Sequence, residues 1–270
     1  MARVIRTAKL PGGLTLPYVQ QGDPAGTPVL LLHGVTDSWF SFDRVLPHLP
    51  DAINAIALTQ RGHGDADRPA TGYRTRDYAA DVAAALEALG LSDVVVVGHS
   101  MGATNAQRFA IDHPDRLRGL VLAASFPSYR GNAAVVDFWQ SGVAHLADPI
   151  DSAFVRDFQL GTLAQPVPPA FLETVVRESL KVPAHVWRAS FEGFLEDDCV
   201  SQLHEITTPT LVMWGDRDAL CSRADQDTLL GAIQGSRLLA YEGAGHALHW
   251  EEPARFAADV VAFARSVSRG

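Results

Sequence analysis

The sequence predicts an α/β protein: a mostly parallel eight-stranded sheet flanked by helices. Three observations lead there. Short apolar runs alternate with longer stretches of helical period, the order expected of strands joined by crossover helices. Several of those runs are apolar at every position, as strands covered on both faces are. One long interval, from Phe126 to about Leu203, holds no strand-like run at all.

The strands follow in order. Residues 3–9 and 14–20 read as a pair joined through Pro11-Gly12-Gly13, a turn suited to a hairpin. Val29–Leu32, Ala52–Leu58, Val94–Val97, Leu120–Leu122, Thr210–Met213 and Leu238–Tyr241 supply the other six. Between them the period changes. Tyr78, Val82, Leu86 and Leu89 keep helical spacing, as do Phe256, Val260, Phe263 and Val267. Thr75 is the expected cap of the first of these helices, and Pro253 suits the first turn of the second. The strandless interval divides into helical pieces near 132–146, 151–161, 168–181 and 184–195, punctuated by Pro149, Pro166-Val167-Pro168-Pro169 and Pro183. An interval far longer than one crossover helix needs is expected to lie as a lid over one edge of the sheet. The expected division is therefore a core of residues 1–126 and 204–270 with a helical cap of 127–203.

Composition narrows the partners. The 270 residues are 47% hydrophobic and 20% charged, which suits a large buried core. Lys and Arg total 22 against 31 for Asp and Glu, a formal charge of −9 that repels phosphate backbones and anionic lipid surfaces. Nucleic acid and membrane partners are not expected, and oligomeric state is not legible. No apolar stretch has the length of a signal peptide or a membrane span, so a soluble, cytoplasmic protein is expected. Cys199 and Cys221 lack metal-site or redox spacing and read as small buried hydrophobes in a reducing compartment.

The chemistry sits at loops after strands. Gly98-His99-Ser100-Met101-Gly102 follows four valines and precedes a helical pattern running toward Asp112. A sharp strand-to-helix turn strains the serine backbone, and side chains two residues to either side would collide, hence glycines there. The turn presents Ser100 as a nucleophile beside the positive end of a helix. A serine hydroxyl needs a base, and His246 in Gly243-Ala244-Gly245-His246, just past the last strand, is the candidate. His249 is the nearest rival and reads as structural. His48, His113, His145, His185 and His204 have no surrounding pattern. The base in turn needs a carboxylate to fix its tautomer. Trp214-Gly215-Asp216-Arg217-Asp218 offers two. Asp216, at the start of the turn, suits backbone N–H bonds, whereas Asp218 lies nearer the expected arrival of the His246 loop. Leu32-His33-Gly34-Val35 ends an early strand, and its glycine lets the Val35 N–H point toward Ser100, with the Met101 N–H as a second oxyanion donor. His33 is expected to brace that turn.

Together these residues resemble the α/β-hydrolase superfamily over essentially the whole chain, and within it the compact bacterial serine esterases with a helical cap after the sixth strand. The resemblance rests on His33-Gly34, Arg61-Gly62-His63-Gly64, Gly98 to Gly102, Gly215 to Asp218 and Gly243 to His246. The order Ser, Asp, His belongs to that fold. The resemblance also favours Asp218, because the second Asp of Gly-Asp-x-Asp usually holds the histidine. Dehalogenases and epoxide hydrolases of this fold carry Asp where Ser100 stands. Cofactor-free haloperoxidases usually have a Pro soon after the His-Gly turn, where this chain has Val35-Thr36-Asp37-Ser38. The triple-glycine turn of another esterase branch is absent. Ser125-Phe126-Pro127 lacks the acid some lactonases place there.

The reading is a carboxylic ester hydrolase acting through an acyl-enzyme, with no metal or organic cofactor. The expected pocket wall is aromatic: Trp39, Phe40, Phe126, Phe138, Trp139, Trp187, Phe191 and Phe194. Such a wall suits a small to medium apolar ester or lactone. A lactonase, a carbon–carbon bond hydrolase with the same triad, or a slow-turnover small-molecule sensor are the alternatives.

Overall fold

The computed structural model describes residues 4–197 and 199–267. Arg3, read as the first residue of the opening strand, lies outside them with Met1 and Ala2, as does Asp198 in the helical interval. The strands are β1 (Ile5–Lys9), β2 (Thr15–Gln21), β3 (Thr27–Leu32), β4 (Ile53–Leu58), β5 (Val94–His99), β6 (Leu117–Ala123), β7 (Thr210–Gly215) and β8 (Arg237–Tyr241). The helices are α1 (Thr75–Ala88), α2 (Met101–Asp112), α3 (Ala133–Ser141), α4 (Ser152–Gly161), α5 (Pro169–Ser179), α6 (Ala184–Glu196), α7 (Arg223–Ala232), α8 (Leu248–Glu251) and α9 (Pro253–Ser266). No helix among the described residues is long and apolar enough to cross a membrane.

The eight strands form one sheet in the order β1-β2-β4-β3-β5-β6-β7-β8. β1 and β2 form the antiparallel hairpin, β2 pairs antiparallel with β4, and β3 to β8 run parallel. Alternate residues of the central strands feed two cores. Leu30, Leu32, Val94, Val96, Leu120, Leu122 and Val212 face one way, toward α1, α2 and α7. Val29, Leu31, Val95, Val97, Val121, Leu211 and Met213 face the other, toward α9 and the 3-10 turns after β3. Each fully buried aliphatic side chain is worth about 1.5–3 kcal/mol, so continuous valine and leucine runs secure the register.

Two expectations about helix starts part company. Pro253 does open α9. Thr75 does not cap α1: it is the first helical residue, and its hydroxyl donates to Asp197 Oδ2 at 2.5 Å. Arg74 is the cap, with its backbone N–H donated to Asp77 Oδ2 at 2.9 Å. The helical interval between β6 and β7 holds α3 to α6, and Gly142 ends the first of them earlier than its apolar period suggests.

Strand order places the chemistry. From β3 the chain moves outward to β4, then returns across β3 to β5, so the order reverses between β3 and β5. In open α/β sheets ligands bind outside the carboxyl ends of strands at that point. Ser100 and Val35 follow β5 and β3, the two strands that flank it.

Candidate active site

The turn after β5 holds Ser100 at φ 52° and ψ −117°, a conformation costly for any L-residue. Its surroundings enforce it. Ser100 N–H donates to Ala123 O at 3.0 Å, and Ser100 O accepts from Ala103 and Thr104. A side chain at residue 98 would collide with Gly102 O, and one at residue 102 would collide with Leu32 O. Glycine at both positions therefore lets α2 pack against the ends of β3 and β5. Met101 is the first residue of α2, so its N–H has no partner within the helix. Among the described residues neither it nor the Val35 N–H makes an intramolecular hydrogen bond.

The loops after β7 and β8 fold onto each other. Arg217 N–H donates to Ala244 O at 2.9 Å and Asp216 N–H to Tyr241 O at 3.1 Å. A side chain at residue 215 would run into Ala244 O, so glycine permits the approach. This contact brings Asp218 Oδ2 to 2.9 Å from His246 Nδ1. Asp218 Oδ1 accepts from the N–H groups of Leu220 and Cys221 at 2.8 and 2.9 Å. Burial alone would raise the Asp218 carboxyl, but His246 and those two N–H groups outweigh it and hold the group below the ordinary carboxylate value. Asp216 Oδ1 instead accepts from Gly243 N–H at 2.6 Å.

Ser100 and His246 line one cavity of about 360 Å³ together with Gly34 and Val35. His246 Nε2 has no hydrogen-bond partner among the described residues. The His246 backbone is held from behind: His99 Nε2 donates to His246 O at 3.0 Å, and the His99 ring packs on the His249 ring, tilted 49° with centroids 4.2 Å apart. Burial lowers His99 to about 3 and lowers His249 well below the usual histidine value, so both stay neutral. Glu251 anchors the same loop, accepting from Gly245 N–H and Ala164 N–H, each at 2.7 Å.

His33, His249 and the second cysteine have structural partners. His33 Nε2 accepts from Gln60 N–H at 3.0 Å, which braces the turn after β3. His249 Nε2 lies 3.0 Å from Ser41 Oγ. Cys221, Asp218 and His246 converge within 4.8 Å, a spacing that would suit a metal ion. Both Asp218 oxygens already accept hydrogen bonds, however. Burial pushes the Cys221 thiol well up, so it remains protonated and lies 3.3 Å from Ala124 O.

The aromatic wall needs correction. Phe126, Phe138, Phe191 and Phe194 line the cavity, but Trp39, Phe40, Trp139 and Trp187 do not. Trp39 packs against the core on the α9 side of the sheet and meets Phe40 edge-on at 5.7 Å, and Phe40 stacks on Phe171 at 5.3 Å. Trp139 packs among the interval helices, and Trp187 is fully buried behind Phe154 and Phe158. Phe154 and Phe158 take their places. Tyr129, not singled out by its sequence context, also lines the cavity; its hydroxyl interacts with Ser100 and accepts from Thr104 Oγ1 at 3.3 Å. Asp37, Asp157, Gln159 and Thr162 add polar groups to a chamber whose wall is mostly apolar.

A family profile described as alpha/beta hydrolase fold matches residues 27–253, and the chain belongs to that family. A non-heme chloroperoxidase of Streptomyces lividans is 28% identical over 94% of this chain and 97% of its own. A 2-(acetamidomethylene)succinate hydrolase of Mesorhizobium japonicum is 38% identical over 44% of this chain, a match spanning 41% of that protein's length. The crystal structure of an esterase from Rhodococcus sp. ECU1013 superposes with a TM-score of 0.86 at 28% identity, covering 98% of this chain and 99% of that one.

Proposed function

We propose that the chain is a serine-dependent carboxylic ester hydrolase working through an acyl-enzyme. One observation carries this reading. The strained Ser100 turn opens into the same apolar cavity as His246, whose Nδ1 faces the buried Asp218 carboxylate at 2.9 Å. Ser100 Oγ attacks the ester carbonyl as His246 Nε2 takes its proton. Asp218 fixes the Nδ1–H tautomer and steadies the imidazolium. The unpaired Val35 and Met101 N–H groups receive the tetrahedral oxyanion, a contribution of about 3–4 kcal/mol per donor in comparable sites. His246 returns the proton to the leaving alcohol and then activates water to release the acid.

Residues 127–203 act as the cap in this reading, with α3, α4 and α6 supplying the aromatic wall. A cavity of about 360 Å³ with a largely apolar, aromatic wall fits a small to medium apolar ester. The similarity to the Rhodococcus esterase supports ester chemistry.

The test is stoichiometric labelling of Ser100 by a fluorophosphonate, with p-nitrophenyl butyrate hydrolysis measured beside it. Ser100→Ala should abolish labelling and cost about 10⁶ in turnover while the fold persists. Turnover within tenfold of the parent in the purified variant would overturn the proposal.

A further inference from the structure

The cavity has a polar corner that the hydrolytic machinery does not use. Asp37 lies beside the turn after β3, its N–H bonded to Gly34 O at 3.3 Å. A side chain at residue 34 would come 3.4 Å from Asp37 Oδ2. From above, α4 brings Gln159, which is 1% exposed and lines the cavity. Gln159 Nε2 lies 3.1 Å from Asp37 Oδ1, 3.2 Å from Thr36 Oγ1 and 2.8 Å from Ser179 Oγ.

Proton directions in this cluster fix the amide orientation. Ser179 Oγ donates to Val175 O at 3.0 Å, and Thr36 Oγ1 donates to Ser179 Oγ at 3.3 Å. Both hydroxyls therefore present lone pairs to Gln159, and so does Asp37. The Gln159 nitrogen must face all three, which turns Oε1 away from them. Oε1 has no hydrogen-bond partner among the described residues. Asp37 also keeps spare lone pairs, because Oδ1 accepts from Gln159 and Oδ2 accepts from Ser41 at 3.0 Å.

We propose that Gln159 and Asp37 form an acceptor subsite that binds a neutral hydrogen-bond donor, a hydroxyl or amide N–H, carried next to the ester carbonyl of the substrate. Position sets the location of the donor on the substrate. The subsite flanks the oxyanion turn at Gly34 and Val35, so the group that reaches it is close to the reacting carbonyl. The rest of the substrate extends toward Phe138 and Phe191 on the apolar side. With the Gln159 amide hydrogens engaged by Asp37, Thr36 and Ser179, the Oε1 lone pairs select donors over acceptors. A neutral donor is favoured over an ammonium group: burial raises Asp37 to about 7, so the corner does not hold a firmly ionised carboxylate to balance a cation. The inference rests on the ester-hydrolase reading above.

The experiment compares ethyl mandelate, both enantiomers, with ethyl phenylacetate and phenylglycine ethyl ester. In wild-type protein, kcat/KM for one mandelate enantiomer should exceed that for phenylacetate at least tenfold, mainly through KM. Binding to the non-turning Ser100→Ala protein, followed by calorimetry, should show the same ratio. Gln159→Met removes the acceptor at nearly constant volume and should bring the two esters within twofold of each other. The ratio carries the test, so a variant that is merely slower still decides it. Equal use of mandelate and phenylacetate by wild type, or an undiminished preference in Gln159→Met, would overturn the subsite. A stronger preference for the ammonium ester would overturn it in favour of a cation site. Absence of any ester turnover together with an unlabelled Ser100 would instead sink the hydrolase reading itself.

Discussion

The Asp216 carboxylate accepts the Gly243 N–H at 2.6 Å, which ties the loop after β7 to the loop after β8. Two residues further on, Asp218 meets His246 from the same loop. One carboxylate thus holds the two loops together while its near neighbour faces the imidazole. Their substitutions should separate. Asp218→Asn keeps its shape but presents the wrong tautomer partner to His246, and should lose about 10⁴ in turnover with little change in melting temperature. Asp216→Asn should lose stability first, by about 1–2 kcal/mol for a weakened charge-assisted hydrogen bond, and activity only second. Measuring kcat and thermal midpoint for both variants checks this. Exchanged phenotypes would overturn the assignment of roles.

Glu251 performs a related task from the opposite side. Its two oxygens reach Gly245 N–H beside His246 and Ala164 N–H between α4 and α5. The loop carrying His246 is thereby fastened to the segment between α4 and α5. Glu251→Gln retains one acceptor oxygen and should be tolerated in fold, yet it replaces an acceptor with a donor facing a backbone N–H. The expected outcome is a loss of about 1–3 kcal/mol in stability and a fall in kcat larger than any rise in KM. Unchanged kcat with a lowered melting temperature would show that the Glu251 tie supports the fold alone.

What the sequence made legible follows from which forces are local. Strands buried on both faces write themselves as unbroken runs such as Val94–Val97, and the prolines at 149, 166 and 183 punctuate the interval helices. The glycines at 98, 102 and 215 record close backbone approaches, so the loops that carry Ser100, Asp218 and His246 stand out. The cavity wall was less legible. Phe138 faces it and Trp139 does not because of how α3 leans on α4 and α6, which a helix's own period does not encode. Gln159 and Asp37 gave no sign, since a buried polar residue looks like a surface one until its partners are seen. Thr75 misled for a related reason: its hydroxyl is engaged by Asp197, more than a hundred residues away in the chain.

Acyl-chain preference should report the size of the chamber. A cavity of about 360 Å³ closed by Phe138, Phe154, Phe158 and Phe191 accommodates butyrate or octanoate esters more readily than a sixteen-carbon chain. Across p-nitrophenyl acetate, butyrate, octanoate and palmitate, kcat/KM should peak at or below octanoate and fall at least tenfold at palmitate. A maximum at palmitate would mean that the helices open as a lipase-like lid and that the closed chamber does not limit the substrate.

Asp37 should make stability depend on pH in a direction opposite to most carboxylates. Burial raises it from the ordinary 3.8 to about 7, against hydrogen bonds from Ser41 and Gln159 that lower it, and Glu178 nearby adds to the rise. Between those two values the folded chain binds a proton that the unfolded chain has released. Stability therefore falls as pH rises across that window, and the loss is complete above about 7. Its size is on the order of a few kcal/mol, because each tenfold difference in proton affinity between the folded and unfolded chain is worth about 1.4 kcal/mol. Asp37→Asn cannot ionise, and its amide can still accept from Gln159 and donate to Ser41. Relative to wild type, the variant should gain stability between pH 5 and pH 8, by urea denaturation at each pH. Taking the difference between the two proteins cancels every other titrating group that the substitution leaves alone. A difference that stays flat from pH 5 to pH 8 would show that Asp37 ionises as an ordinary carboxylate despite its burial, and that the corner it forms with Gln159 is wetter than its packing implies.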